Sequence, residues 1–429
     1  MRANAITKLQ AVAIIVIVVI AAVAGVYYYY STLPPAREVG EPIKIGIVTN
    51  LTGAYAPENI RARIQWTAWT TEINAKGGIY LSGTGKYHPI ELIIYDGESS
   101  VARYVELATK MVTEKVVHVI ILYGAPPPFT VPAVISIEKV GGIPAIGGSP
   151  IDTIAGSALP SVPGGKFVWY WTAGFNYTVY GELWEGFLSQ YKAKINKIGV
   201  VYTDDTSGRD AYKKIVPRVE AAGFKIFFPG FIPPGTTDLT AIIKKFMEEG
   251  VDVVLVNTTP VEWISFRRQC AAMGYQPKMF GVGRCMKIPE AEALGRDLAE
   301  GVVAETHWWY TLPFKGNEWY RTEWKKYLGD MSMTHMEGIA YMNFFVALEA
   351  VKIAGTLDRN AINNAFAKID METPVGRVKF REDHLCETSN TLAQFELAPE
   401  GWTMRIVYVR PQLGVKPETP LRTQNFQLG

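Results

Sequence analysis

The 429-residue sequence holds few of the residues that carry covalent chemistry. Its three cysteines, Cys270, Cys285 and Cys386, have no metal-ligand spacing, and its five histidines, His88, His118, His307, His335 and His384, are scattered. His335 and Glu337 are neighbours, but not at the spacing of a metal-binding helix. A Cys270–Cys285 disulfide and isolated buried thiols are both compatible with the sequence. There is no G-x-S-x-G nucleophile elbow and no P-loop. G-x-G-x-x-G is missing too, since Gly83-Thr84-Gly85 lies before a strand and Gly281-Val282-Gly283 lacks the third glycine. Nothing supplies a nucleophile with a base, so no enzyme class is indicated and neither a metal nor a cofactor is called for. An excess of one charge is also lacking: 43 Lys and Arg face 41 Asp and Glu, which leaves no basic field for nucleic acid.

What is present begins at the N-terminus. From Leu9 to Ala36 no residue is charged, and Ala11 to Val26 is dense in Ile and Val. The run reaches the ~20 apolar residues that span a bilayer, and predicts a transmembrane helix. Arg2 and Lys8 precede it, so the positive-inside rule sends the large C-terminal part outward, with Tyr27 to Tyr30 at the outer interface. Cleavage near Ala21-Ala22-Val23-Ala24 is the rival. Retention as an anchor is favoured, because the run exceeds an ordinary signal core, no cysteine follows to carry a lipid, and Leu33-Pro34-Pro35-Ala36 makes a stiff tether. About 370 residues lie beyond, enough for two lobes at ~100–200 residues each.

The stretch Ile43 to Ile79 reads as strand, turn and helix. Ile43, Ile45, Ile47 and Val48 have the density of a strand in a mainly parallel sheet. Asn50-Leu51-Thr52-Gly53 ends it. Pro57 and Glu58 open a helix whose Ile60, Ile64 and Ala68 share a face, and Lys76-Gly77-Gly78 closes it. Strand and helix signals then alternate to Gly147, and a second such series starts at Lys197 with IGVVY. This opening, with its TG turn and its EINAKGG helix end, resembles the leucine/isoleucine/valine-binding type of extracytoplasmic solute-binding proteins of ABC importers. The resemblance covers about residues 43 to 410.

The resemblance implies an α/β type I periplasmic-binding-protein fold: two doubly wound Rossmann-like lobes joined by a multi-strand hinge, here preceded by a transmembrane helix. The expected division is 1–30 anchor, 31–42 linker, 43–170 plus 309–375 lobe I, 171–308 plus 376–410 lobe II, and 411–429 polar tail. The aromatic runs Trp169-Tyr170-Trp171 and Trp308-Trp309-Tyr310 are expected to pack at the lobe junction. Ligands of open α/β sheets bind outside the carboxyl ends of the strands, so the facing lobes define one cleft. Lobe I offers Asn50, Thr52 and Tyr55, Ala125 and Phe129 within Gly124–Phe129, and Gly148 with Ser149. Lobe II offers Thr203, Ser207, Thr259 and Arg284.

In the resembling family a hydroxyl and backbone N–H groups hold an amino acid's carboxylate, a role that fits Ser149 and Gly148. The proline run Pro126–Pro128 removes donors from the other half of that grip. An acidic residue of the family receives the ammonium after the strand Lys278–Val282. This chain has Gly283 and Arg284 there, and an arginine facing the cleft prefers a carboxylate, whereas one pointing to solvent means little. Asp204, Asp205 or Glu262 is the candidate substitute acid. Tyr55, Phe129, Trp263 and Tyr341 are the candidate aromatics of a side-chain pocket. The resulting expectation is a monomeric, extracytoplasmic, membrane-anchored binding component that passes a small amino acid or related carboxylated solute to an ABC permease. The alternative is a receptor ectodomain of the same fold.

Overall fold

The computed structural model describes residues 8–32, 37–411 and 415–418, and divides the chain into two units, residues 1–39 and 40–429. In the first unit Lys8–Thr32 is one continuous helix. The stretch Val12–Tyr28 within it is apolar. Among the described residues no single helix is long and apolar enough to cross a membrane, so the expected transmembrane helix is not borne out. The tether Leu33-Pro34-Pro35-Ala36 and most of the polar tail lie outside the described residues.

In the second unit the strands are β1 (Ile43–Thr49), β2 (Ile79–Leu81), β3 (Lys86–His88), β4 (Ile90–Asp96), β5 (Val119–Leu122), β6 (Ala145–Gly147), β7 (Tyr170–Gly174), β8 (Ile198–Tyr202) and β9 (Ile226–Phe227). They continue as β10 (Val253–Asn257), β11 (Met279–Val282), β12 (Val303–Thr306), β13 (Asp370–Thr373), β14 (Gly376–Lys379), β15 (Leu385–Glu387), β16 (Thr391–Ala398) and β17 (Gly401–Val409). One sheet has the order β15-β7-β6-β5-β1-β4 and is parallel throughout. The other, β17-β16-β12-β11-β10-β8-β9, is parallel except where β16 pairs with β12 and β17. The pairs β2–β3 and β13–β14 are separate hairpins.

Burial on both faces explains why these strands read as unbroken apolar runs. Ile45 and Ile47 pack in one cluster with Trp66 of the helix Ala56–Ala75, while Val48, Ile120 and Leu122 pack in another with Tyr104 and Met111 of the helix Val101–Glu114. In the second sheet Trp184, on the helix Tyr177–Ser189, lies so close to Gly281 that a Cβ there would stand 2.6 Å from its ring. Tyr170, Trp171, Trp308 and Trp309 are buried, with the Trp171 indole donating to Asn363 and that of Trp308 to Asn317.

The chain crosses between the sheets three times: after β7, after β12 and after β15. The crossings are tied together where Thr388 N–H donates to Gly174 O, Asn176 N–H to Asn390 Oδ1, and Ser389 Oγ to His307 O. Two details depart from the sequence reading, which placed residues 171–308 and 376–410 wholly with the second lobe: residues 171–174 lie in β7 of the first sheet, and a later strand belongs to that sheet too. Leu385–Glu387 pairs with β7 and completes the first sheet, because the third crossing comes after this strand and not before it. Cys270, Cys285 and Cys386 are free and buried.

Candidate functional site

The carboxyl ends of the two sheets face each other across a cleft with about 880 Å³ of free space. On the first lobe Tyr55, Ala125, Gly148 and Ser149 line it. Their placement depends on Asn59, in the first turns of the helix after β1. Its Nδ2 donates to Asn50 O at 3.1 Å and Gly124 O at 3.0 Å, clamping the loops after β1 and β5 together. Gly124 sits at φ +60°, and a Cβ there would fall 1.6 Å from Asn59 Oδ1, so only glycine fits.

On the second lobe Ser207, Thr259 and Arg284 line the cleft. Ser207 begins the helix Thr206–Ala221 and shares a 2.5 Å hydrogen bond with the Tyr177 hydroxyl. Thr259 caps the helix Pro260–Ala272. Arg284 faces the cleft: its Nη2 donates to Asp205 Oδ2 at 2.6 Å, while its buried Nε and Nη1 have no hydrogen-bond partner. Burial works against the guanidinium charge, but Asp205 and the Tyr177 and Tyr55 hydroxyls outweigh it and raise the pKa above its ordinary value.

Five expected residues do not line the cleft. Asn50 is buried and accepts from Ser99 N–H; Thr52 is turned to Asp96, whose Oδ2 accepts from its hydroxyl at 2.8 Å. Phe129 lies behind Tyr55, with ring centroids 5.6 Å apart, because the helix Pro127–Val140 has already begun and turns it inward. Thr203 donates to Glu262 Oε2. Tyr341 packs in an aromatic cluster, 4.2 Å from Phe345 and 5.6 Å from Trp69. Trp263 is likewise core, against Phe280.

The substitute acids are also engaged elsewhere. Asp204 pairs with Arg209, and Asp205 caps a helix while holding Arg284. Glu262 accepts from Thr203, Thr259 N–H and Gly235 N–H. Two acids do reach the cleft: Glu58, which is paired with Lys287, and Glu305, on β12, whose Oε1 accepts from the Trp184 indole at 2.8 Å. A Cβ on Gly283 would stand 3.0 Å from Glu305 Oε2, so this carboxyl lies directly behind the residue where the family's acid was expected. Burial pushes its pKa up to about 8, only partly offset by Trp184.

Other lining residues were not foreseen. Lys287 pairs with Glu58 at 2.6 Å across the two lobes. Burial lowers the ammonium's pKa, but Glu58 and Glu290 outweigh it and bring it to about 12. His307 and His335 stand edge to face with centroids 4.9 Å apart, beside Phe175. A single charged residue directly after the apolar run Val302–Ala304 was the available signal for Glu305. Neither histidine had one. Among the described residues no three His, Cys, Asp or Glu side chains come together as a metal site.

Two α/β lobes joined by three tied crossings, with a polar cleft at their facing strand ends, define a bilobed solute-binding protein. The chain belongs to the periplasmic binding protein family, whose profile matches residues 42–399, and that membership implies an extracytoplasmic location. Among curated relatives, Leu/Ile/Val-binding protein homolog 7 of Brucella abortus is 26% identical over 181 residues, 41% of this chain and 45% of the relative. Homolog 8 of the same organism is 28% identical over 118 residues, 27% of this chain and 29% of the relative. The matched stretches thus span less than half the length of these relatives. In fold, the isoleucine-bound substrate-binding protein of a branched-chain amino acid transporter from Streptococcus pneumoniae superimposes with a TM-score of 0.71 at 19% identity, over 86% of this chain and 99% of that one. A Rhodopseudomonas palustris ABC-transporter solute-binding protein in complex with 3,4-dihydroxybenzoic acid gives 0.67 at 19%, over 84% and 95%.

Proposed function

We propose that this chain captures a small carboxylated solute between its lobes and delivers it to the permease of an ABC importer. The observation that carries this reading is Arg284, whose buried Nε and Nη1 are unpartnered while Nη2 is held by Asp205. With one Nη2 hydrogen held by Asp205, the second Nη2 hydrogen together with the neighbouring free donor still makes the parallel pair that a carboxylate accepts. Gly148 and Ser149 supply the opposing wall. The same geometry favours an acid lacking an ammonium over a zwitterionic amino acid. Asp205 and Glu58 are already paired with Arg284 and Lys287, and Glu305, with its pKa pushed up to about 8, is mainly protonated at neutral pH. Binding and hinge closure accomplish the task without covalent chemistry. For the N-terminal segment we propose a role in export, supported by its uncharged stretch from Leu9 to Ala36.

Calorimetric titration of the wild type and of Arg284→Ala and Arg284→Lys against amino acids and carboxylic acids tests the reading. A charge-assisted hydrogen bond contributes about 1.5–3 kcal/mol, so Arg284→Ala is expected to weaken acid binding roughly tenfold to a hundredfold. Lysine should rescue poorly, since it lacks the fork. Unchanged affinity in Arg284→Ala removes the anchor, and tight binding of leucine with none of simple acids removes the preference.

A further inference from the structure

The two histidines of the cleft stand outside the carboxylate grip assigned above to Arg284, Gly148 and Ser149. His307 and His335 are only 4% and 5% exposed, and both line the cleft. His307 lies flat against Phe175, with centroids 5.2 Å apart and planes 9° from parallel, and meets the edge or face of His335 at 83°. His307 Nε2 and His335 Nδ1 are buried with no hydrogen-bond partner. Buried polar atoms are nearly always satisfied, and two orphans side by side in a ligand cleft are a place where the ligand completes the bonding.

We infer that His307 and His335 form a second polar subsite that receives a hydroxyl group of the ligand, carried in addition to its carboxylate. This rests on the reading of Arg284 as the carboxylate anchor.

The chemistry of the pair selects the group. Burial, and then the charge of Lys287, holds His307 down to about 3. Burial, His307 and Lys287 keep His335 well below its ordinary value. Both rings are therefore neutral, and each presents one N–H donor and one bare acceptor nitrogen. With one orphaned nitrogen protonated and the other bare, the pair offers a donor and an acceptor together. A hydroxyl donates to one ring and accepts from the other. Lys287, the nearby cation, is engaged by Glu58 at 2.6 Å and does not turn the subsite into an anion site. The ligand class that follows is a hydroxylated carboxylic acid whose hydroxyl meets the two imidazoles beside Phe175.

The test uses the full chain in mild detergent and matched acid pairs that differ by one hydroxyl: benzoate with 3- and 4-hydroxybenzoate, and butanoate with 4-hydroxybutanoate. In the wild type at least one hydroxylated acid is expected to bind about tenfold tighter than its parent. In His335→Leu and His307→Phe the ratio of the two dissociation constants is expected to fall to near one. A readout without variants is the ring-nitrogen NMR spectrum of histidine-labelled wild type, in which two imidazoles should shift with the hydroxylated acid and not with its parent. Equal affinities across every pair, or a hydroxyl preference that survives in both variants with unmoved ring signals, overturns the subsite while leaving the Arg284 anchor standing. Failure of every acid to bind, with Arg284→Ala indistinguishable from wild type, overturns both.

Discussion

The Lys287–Glu58 ion pair is expected to act as a latch between the lobes. Glu58 stands in the first turn of the helix that follows β1, and Lys287 precedes the helix Ile288–Leu294 that follows β11. The Nζ–Oε2 distance is 2.6 Å, with side chains only 12% and 10% exposed. Replacing Lys287 by methionine leaves the Glu58 carboxylate without its cation where little water reaches. Breaking a buried pair from one side costs about 3–5 kcal/mol. Glu58 regains water when the lobes part, so the cost should emerge as a shift toward the open form rather than as global unfolding. At ~1.4 kcal/mol per decade the shift amounts to roughly two to three and a half decades in the closing equilibrium. The double variant Glu58→Gln/Lys287→Met removes both charges and should lie within about 1 kcal/mol of wild type. Small-angle scattering reads lobe separation and calorimetry reads acid affinity. Lys287→Met should expand the particle and weaken binding, and the double variant should restore both. If Lys287→Met matches wild type, or if the single effects simply add in the double variant, the pair does not latch the lobes.

Glu305 and Glu337, both buried with pKa raised to about 8, make stability fall with pH. An unfolded glutamate titrates near ~4.3, so the stabilisation from each neutral acid is complete below that value and is lost as pH rises through 8. His307 and His335, with depressed folded values, contribute fully above about pH 7 and add no slope there. Denaturant unfolding at pH 7, 8 and 9 should show wild-type stability declining, and Glu305→Gln declining about half as steeply; equal slopes would refute the assignment. Gly124→Ala should cost clearly more than Gly164→Ala. Both glycines have positive φ, but an added Cβ meets Asn59 only at Gly124, so the difference, roughly 1–3 kcal/mol, reports the clamp between the cleft loops, and equal melting temperatures would deny it. Burial pushes the Cys270 and Cys285 thiols up to about 12, so native protein at pH 8 should resist alkylation at both and react fully once unfolded. Rapid labelling of either in the native state counts against their burial.

The architecture was legible because it rests on local patterns. The run from Ile43 to Val48 had to be a strand buried on two faces, and Lys76-Gly77-Gly78 had to close a helix, whatever the rest of the chain did. The site was legible only where one loop sufficed: Tyr55, Ser149 and Arg284 each follow a strand end and each reach the cleft. The misread residues were decided by a second element. Phe129 looked like a loop residue until Pro127 started a helix beneath it. Thr203 looked free until Glu262 claimed its hydroxyl, although Thr259-Pro260-Val261-Glu262 carries the spacing of a capping box and could have marked that carboxylate as engaged.

Glu305 shows why reading along one loop fails at such a site. Searching for an acid after β11 finds Gly283 and concludes that the charge is gone. The parallel register pairs Gly281 with Val303 and Val282 with Ala304, so the next residue beside Gly283 is Glu305. Its Oε2 and Asn257 Nδ2 occupy the space a side chain on Gly283 would need, at 3.0 and 2.7 Å from the missing Cβ. This carboxyl thus stands one strand across the sheet from the expected loop, and its place there sets its chemistry. Buried beneath a glycine and bonded to the Trp184 indole, it is held as a neutral acid, whereas a carboxylate exposed on the loop would have stayed ionised to meet an ammonium. Glycine at 283, a neutral acid behind it and Arg284 next in the chain are together the arrangement on which the proposed preference for an acid over a zwitterion rests.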